Sequence, residues 1–152
     1  IVAVPVGGGG LVSGVAAAIK LSRPDIKVVG VEPAGAAKMS ASLAAGHPVT
    51  LDRTSSIADG LMPVRPGDLT FEHVRAYVDQ VVTVDDALIA RAALWLFHEA
   101  KQVVEPSGAA TVAATLWPSE GSLLADKSAK VVAILSGGNV APETLAGLAT
   151  ST

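Results

Sequence analysis

Residues 1–11 read IVAVPVGGGGL, a short apolar run that leads directly into four consecutive glycines. The run predicts a buried β-strand, and the alanine-rich segment that starts at Leu11 has apolar residues at helical spacing. A strand, a glycine loop and a helix N-terminus in this order bind anions in α/β proteins. Glycine lets a ligand approach the backbone N–H groups without meeting a Cβ atom. We therefore expect a phosphate at residues 7–10, and a plain flexible turn is the alternative.

The composition limits the possible classes of protein. The chain has 152 residues, of which 50% are apolar and 16% charged, so it can bury the core of one domain. A net charge of −3 and 3% aromatic residues argue against nucleic acid as a partner. The absence of cysteine excludes disulfides, thiolate metal sites and a cysteine nucleophile. Residues 1–19 carry no charge, but Pro5 and the glycines interrupt any membrane-spanning helix, and no basic segment precedes the apolar run. We expect a cytoplasmic protein without a membrane partner.

Strand and helix patterns alternate along the chain. The first strand, the helix and the second strand form a βαβ unit, which predicts parallel strands joined by a right-handed connection. The expected fold class is α/β, with a mostly parallel sheet and helices on both faces. Predicted strands lie at 1–6, 28–31, 80–84 and 131–135, with a strand-like segment at 103–104. Predicted helices run from 11 to a stop at 22–24, and over 35–45, 70–78, 86–101, 106–117 and 142–148.

Several predicted strands end in small residues where a turn or helix begins. These junctions are residues 6–11, 105–109 and 136–139, and Glu32-Pro33 ends the second strand. Ligands bind at the carboxyl ends of parallel strands, so we expect these junctions to meet at one edge of the sheet. Any one of them alone is explained as a tight turn, whereas the set favours a binding site.

Five motifs carry a resemblance to a known family. VPVGGGG (4–10), VEP (31–33), IADG (57–60), VEPSGA (104–109) and LSGGN (135–139) occur in the order found in fold-type II pyridoxal-phosphate enzymes. The chain resembles the threonine and serine dehydratases and serine racemase most. The resemblance implies the large-domain fold of that class, which is similar to the β-subunit of tryptophan synthase. It matches the second half of the catalytic domain, so residues 1–152 are expected to be its C-terminal half, without the small domain and the Schiff-base lysine region.

The resemblance implies pyridoxal 5'-phosphate as the cofactor and assigns its site. The glycine loop would hold the phosphate, and the Ser136 hydroxyl would bond to the pyridine nitrogen. Asp59 and Gly60 would lie against the face of the cofactor, and Asn139 would orient the last loop. Glu105 would lie near the ring edge, although a helix cap or a surface charge is the alternative for it. The cofactor-binding candidates are Gly7, Gly8, Gly9, Gly10, Leu11, Asp59, Gly60, Glu105, Ser136, Gly137 and Asn139.

The implied reaction is β-elimination from a hydroxy amino acid, which converts L-threonine or L-serine to a 2-oxo acid and ammonia. Racemisation of serine or threonine and dehydration of hydroxyaspartate are alternatives within the family. Outside it, a non-enzymatic phosphate-binding α/β domain and a structural or regulatory fragment that pairs with a catalytic half remain open. By the resemblance, homo-oligomers are expected.

No catalytic residue is predicted within this chain. The six lysines occupy positions typical of solvated side chains, so the Schiff-base lysine is expected from a missing N-terminal half or a companion chain. The fragment alone is expected to be inactive, with the strand at residues 1–4 left as an uncovered edge. These lysines are Lys20, Lys27, Lys38, Lys101, Lys127 and Lys130.

A metal site is weakly indicated and is not predicted. Some relatives bind a divalent cation through a carboxylate after the second strand, a carbonyl four residues later and an acidic residue two further on. Glu32 and Ala36 match the first two positions, but Lys38 occupies the third. An ammonium group does not replace an oxygen ligand of a hard cation.

Overall fold

The computed structural model describes residues 1–150, and the last two residues of the predicted domain, 151–152, lie outside the described residues. A single sheet of parallel strands forms its centre, in the order β3-β2-β1-β4. The predicted α/β class and parallel sheet are therefore confirmed. The strands are β1 (Val2–Pro5), β2 (Val28–Pro33), β3 (Gln80–Val84) and β4 (Val132–Ala133). The helices are α1 (Gly10–Ser22), α2 (Lys38–Ala45), α3 (Asp68–Tyr77), α4 (Asp86–His98), α5 (Pro106–Leu116) and α6 (Pro142–Thr150).

Helices cover both faces of the sheet, as predicted. Successive strand residues point to opposite faces, so Ala3 and Val4 belong to two different apolar layers. One layer contains side chains of α4 and α5, and the other contains side chains of α1, α2 and α3. Among the described helices, none combines the length and the apolarity that crossing a membrane requires.

Helix α5 is the central helix of the first layer. Residues 106–114 are all buried, and the segment consists mainly of alanine, serine, glycine and threonine. The helix packs against α4 and against β1, β2 and β3. Small side chains allow this close approach of helix and sheet, and the apolar area is buried on every side of the helix.

Several expectations about the elements differ from the structure. The predicted helix 35–45 begins as a 3₁₀ turn (Ala34–Ala36), and α2 starts only at Lys38. The segment 103–104 forms no strand, because Lys101 takes a positive φ of 56° and the chain then runs directly into α5. For the same reason α4 ends at His98 and not at residue 101. Strand β4 has two residues, because beyond it the Ile134 carbonyl accepts a hydrogen bond from the Thr111 hydroxyl (2.9 Å). The predicted uncovered edge at residues 1–4 is wrong, since β1 pairs with β2 and with β4.

Candidate functional site

The glycine loop lies between the end of β1 at Pro5 and the start of α1 at Gly10. Gly9 is the N-cap residue of α1, has a φ of 97° and supplies no side chain to cap the helix. Within residues 1–150, the N–H groups of Gly7, Gly8, Gly9, Gly10 and Leu11 donate no hydrogen bond. A Cβ atom added at Gly8 or Gly10 would meet nothing within 4 Å, so the space beside these donors is open.

The carbonyl side of the same loop is held by the start of α3. The Gly8 carbonyl accepts hydrogen bonds from the Thr70 hydroxyl (2.6 Å) and from the Gly67 N–H (3.2 Å). The Ser13 hydroxyl in turn donates to the Thr70 carbonyl (3.2 Å). The start of α3 therefore braces the loop and leaves its N–H groups available at the positive end of α1. Several N–H donors beside open space at a helix N-terminus fit a phosphate group.

A second segment, the short 3₁₀ turn Asp59–Leu61, lies against the glycine loop. A Cβ atom at Gly7 would approach the Gly60 carbonyl oxygen to 2.9 Å. The Gly60 N–H donates to the Ser107 hydroxyl oxygen (3.0 Å), and that hydroxyl lies 3.3 Å from the Asp59 carboxylate. Ser107 is buried at the start of α5 and links the second segment to the third.

Sequence reasoning missed Ser107. Its signal was present in the motif VEPSGA, where a buried polar residue follows the proline that begins a helix. A buried hydroxyl requires a partner, and at this position the partner lies at residues 59–60.

The third part of the site consists of residues 105–109 and residues 136–139, which contact each other. The Glu105 N–H donates to the Gly137 carbonyl (3.3 Å). A Cβ atom at Gly108 would lie 2.7 Å from the Ser136 carbonyl, and one at Gly137 would overlap the Glu105 carboxylate. The structure thus brings the three predicted junctions together at the carboxyl ends of β1 and β4. The Ser136 hydroxyl makes no hydrogen bond within residues 1–150 and is half-buried.

The remaining candidates lie on the exposed side of this region. Asp59, Glu105 and Asn139 line a cavity of about 350 Å³, together with residues at the start of α6. The Leu11 side chain is 46% exposed, so only its N–H could contribute to the loop. A larger cavity of about 740 Å³ lies between α4 and α6, is mostly apolar and contains none of the predicted cofactor-binding residues.

The expectation that Lys38 is solvated is wrong. Its side chain is fully buried, and its Nζ donates to the carbonyl oxygens of Val6 (2.7 Å) and Leu61 (2.9 Å). The Nζ also lies 3.5 Å from the Glu32 carboxylate. Burial lowers the pKa of Lys38, while the charge and the hydrogen bond of Glu32 oppose that shift. A lysine in an alanine-rich segment after a turn gives no local signal of burial, although the metal pattern had placed it in one set with Glu32.

The Glu32 carboxylate, the first of the two metal candidates, already has partners within the protein. The Glu32 carboxylate accepts hydrogen bonds from the N–H groups of Met39 (3.0 Å) and Ser40 (2.7 Å), and its charge faces Lys38. Ala36 is buried in the short turn after β2. Among the described residues, no group of three or more histidine or acidic side chains could hold a metal ion.

Comparison with known proteins agrees with the motifs. The sequence profile of a family described as "Pyridoxal-phosphate dependent enzyme" matches residues 1–137. L-threonine ammonia-lyase of Thermotoga maritima is 46% identical over 140 residues, which cover 92% of this chain and 34% of that protein. Serine racemase of Oryza sativa subsp. indica is 45% identical over 138 residues, which cover 90% and 40%. The structure of maize serine racemase superimposes with a TM-score of 0.87 at 43% identity, covering 99% of this chain and 47% of that one. The chain thus spans less than half the length of these relatives.

Proposed function

Since this chain belongs to the family of pyridoxal-phosphate-dependent enzymes, we propose that it forms part of an ammonia-lyase acting on L-threonine or L-serine. The products would be a 2-oxo acid and ammonia, released by β-elimination. The observation that carries the proposal is the set of unused N–H groups at residues 7–11, beside open space and next to Ser136 and Glu105 in the same region. The 46% identity to an L-threonine ammonia-lyase supports the reaction class.

In this proposal the glycine loop binds the cofactor phosphate. The backbone N–H groups of residues 7–11 would donate to its oxygens, and the N-terminal end of α1 would add a favourable electrostatic contribution. Because Thr70 and Gly67 hold the loop from its carbonyl side, the donors are oriented before any ligand arrives. Binding then costs less ordering of the backbone.

Ser136 would contact the pyridine nitrogen through its hydroxyl. When bound, pyridoxal phosphate supplies the electron sink for a carbanion at the substrate Cα. A hydroxyl at position 136, unlike a carboxylate, does not hold the ring nitrogen in its protonated form. This weaker electron withdrawal suits prompt departure of a β-hydroxyl. Gly137 and Gly108 keep the backbone around Ser136 close to α5 and free of side chains.

The rest of the catalytic machinery belongs to the same proposal. Relatives are more than twice as long as this chain, which supports a further segment that supplies the covalently attached lysine and the substrate-binding loop. That segment would come from the same polypeptide or from a companion chain. We further propose that the active protein is a homo-oligomer, that it is cytoplasmic and that L-serine is used as well as L-threonine.

Racemisation is the second candidate, because two relatives of comparable identity are serine racemases. Incubation of the holoprotein with L-threonine and with L-serine distinguishes the two. Formation of 2-oxobutanoate or pyruvate, measured by a coupled reductase, supports the lyase, whereas accumulation of D-serine on a chiral column supports the racemase. Intact-mass analysis of the same sample reports every polypeptide present.

Binding by this chain is tested separately from turnover. Pyridoxine 5'-phosphate carries the phosphate and the ring but no aldehyde, so its binding requires no lysine. We expect it to raise the melting temperature, with pyridoxine as the control without phosphate. A shift produced by nucleotides but not by pyridoxine 5'-phosphate would contradict the proposal and favour a phosphate-binding domain of another class.

A further inference from the structure

Lys38 is the largest fully buried side chain among the described residues. An ammonium group inside a protein is costly unless oxygen atoms replace its water shell. The Nζ has three such neighbours: the Val6 carbonyl at 2.7 Å, the Leu61 carbonyl at 2.9 Å and the Glu32 carboxylate at 3.5 Å. One carboxylate and two carbonyl oxygens around the Nζ favour the ammonium form of Lys38 in the core.

Two of the three oxygens, those of Val6 and Leu61, belong to segments that adjoin or form the candidate site. Val6 directly precedes the glycine loop, and Leu61 ends the turn that contains Gly60. Glu32 lies near the end of β2, where two N–H groups in the first turn of α2 fix its carboxylate. The ammonium thus connects the ends of two neighbouring strands with the 59–61 turn.

The contact with Val6 has a direct effect on the loop. The Val6 carbonyl and the Gly7 N–H belong to one planar trans peptide and point in opposite directions. A hydrogen bond that fixes the carbonyl therefore also fixes the direction of the N–H. The Thr70 hydroxyl acts in the same way on the next-but-one peptide, through the Gly8 carbonyl and the Gly9 N–H.

We propose that the Lys38 ammonium is a built-in cation that positions the glycine loop for phosphate binding. Lys38 is a positioning residue, since it contacts the backbone of the loop and not the ligand space. The inference rests on the proposed cofactor site at residues 7–11. It implies that the protein needs no dissolved cation at these oxygens, and that removing the side chain leaves a carboxylate and two carbonyls suited to a hard cation.

The test compares three forms of the protein that contains this chain: the wild type, Lys38→Ala and Lys38→Met. Affinity for pyridoxine 5'-phosphate is titrated in choline chloride and in ammonium or potassium chloride of equal ionic strength. In choline, we expect Lys38→Ala to lose at least tenfold in affinity. Ammonium or potassium should restore most of that loss, while the affinity of the wild type stays the same in all salts. Lys38→Met fills the space and should lose affinity without recovery.

A matched control separates positioning from general destabilisation. Ile89→Ala removes a fully buried side chain from the layer on the other face of the sheet. It should lower the melting temperature but keep the affinity for pyridoxine 5'-phosphate in every salt. Should Lys38→Ala not fold, Lys38→Met still decides the question through its affinity.

Two results would overturn the inference. One is a Lys38 variant that binds pyridoxine 5'-phosphate as tightly as the wild type in choline. The other is a loss of affinity in Lys38→Ala that none of the cations reverses. A wild type that fails to bind pyridoxine 5'-phosphate would instead overturn the proposed cofactor site, so the two failures are distinguishable.

Discussion

At residue 9, both the backbone conformation and the surrounding atoms exclude a side chain. Gly9 has a φ of 97°, and an added Cβ atom would lie 2.8 Å from the Thr70 hydroxyl oxygen and 3.0 Å from the Met39 Cε. We expect Gly9→Ala to lower the free energy of unfolding by about 1–3 kcal/mol, because a residue other than glycine is strained there. Urea unfolding monitored by circular dichroism measures this loss.

Gly8 is the matched position, since its added Cβ atom would meet nothing within 4 Å. Gly8→Ala should change the free energy of unfolding by less than about 0.5 kcal/mol. It should nevertheless weaken the binding of pyridoxine 5'-phosphate, because the methyl group enters the space beside the N–H donors. Unchanged affinity in Gly8→Ala would argue against a phosphate at this loop.

Some features of single residues can be predicted from the sequence, and others cannot. Four glycines after an apolar run are visible without any structure, because glycine alone combines positive φ with close approach. The burial of Lys38 was not predictable, since its partners lie at residues 6, 32 and 61 and no local pattern joins them. The cofactor roles of Ser136, Asp59, Glu105 and the other candidates stay predictions.

At the level of elements, Asp79 ties the turn before β3 to α1 and β2. Its carboxylate contacts the Nζ atoms of Lys20 (2.7 Å) and Lys27 (3.1 Å) and accepts a hydrogen bond from the Val28 N–H (2.8 Å). Burial, the largest single effect, raises the pKa of Asp79, but the bonds to Lys20, Val28 and Lys27 together outweigh it. The pKa of Asp79 is therefore lowered below its ordinary value.

We expect Asp79→Asn to lower the free energy of unfolding at pH 7 by about 1.5–3 kcal/mol, the range for hydrogen bonds to charged groups. A lowered pKa in the folded state means that the carboxylate stabilises the fold above the unfolded pKa of about 3.9. That contribution is lost as the pH falls through the folded pKa, so the difference between variant and wild type should shrink toward pH 3. Urea titrations at pH 7, 5 and 3 measure it.

Asp25→Asn serves as the control, because it removes the same charge from an aspartate that does not connect α1, β2 and β3. Asp25 pairs with Arg23 on the surface, two residues away, and exposed pairs of this kind contribute little. We expect no measurable change in unfolding at any of the three pH values. Equal effects at Asp25 and Asp79 would show that net charge, and not the contacts of Asp79, determines the result.

Helix α5 positions the last loop of the site through Gly108. An added Cβ atom there would lie 2.7 Å from both the Ser136 carbonyl oxygen and the Val104 Cγ1. Gly108→Ala should cost about 1–3 kcal/mol of stability and weaken the binding of pyridoxine 5'-phosphate, because residues 136–137 must move. Ala114→Gly, in the same helix, should also destabilise but leave the affinity unchanged. If Gly108→Ala binds normally, loop 136–137 does not depend on α5.

The order of helices and strands could be predicted from the sequence. Some of the residues at which these elements begin or end could not. Residues 80–84 contain a run of β-branched side chains and form β3 as predicted. Val103 and Val104 have the same strand-like composition, yet Val103 is 52% exposed and Val104 packs beside Gly108. Their conformation is determined by the tertiary contacts of α5, which a local pattern does not contain.

At the level of the whole molecule, the sheet has an open edge at β4. In the part of the chain that the structure describes, β4 pairs with β1 alone, and Val132 is 59% exposed. Open edges with apolar side chains promote association between chains. We expect Val132→Lys to reduce concentration-dependent association of this chain in sedimentation velocity, without a change of fold in circular dichroism.

A surface position away from the sheet provides the comparison. Leu21 is 78% exposed near the end of α1 and takes no part in strand pairing. Leu21→Lys adds the same charge as Val132→Lys, so charge repulsion alone would affect both variants equally. Association that is reduced to the same extent in both variants would contradict a specific role of the β4 edge.

The enclosure of α5 has a consequence for amide hydrogen exchange. Because residues 106–114 are sealed between the sheet and α4, the amide protons of residues 108–114 can exchange only when the whole domain opens. The N–H groups of residues 7–9, which have no acceptor within residues 1–150, should exchange within the dead time of the experiment. One exchange measurement therefore contains its own reference. Slower exchange of the loop protons after a ligand is added shows that the ligand binds at the loop. Slower exchange of the α5 protons reports how much the ligand stabilises the whole domain.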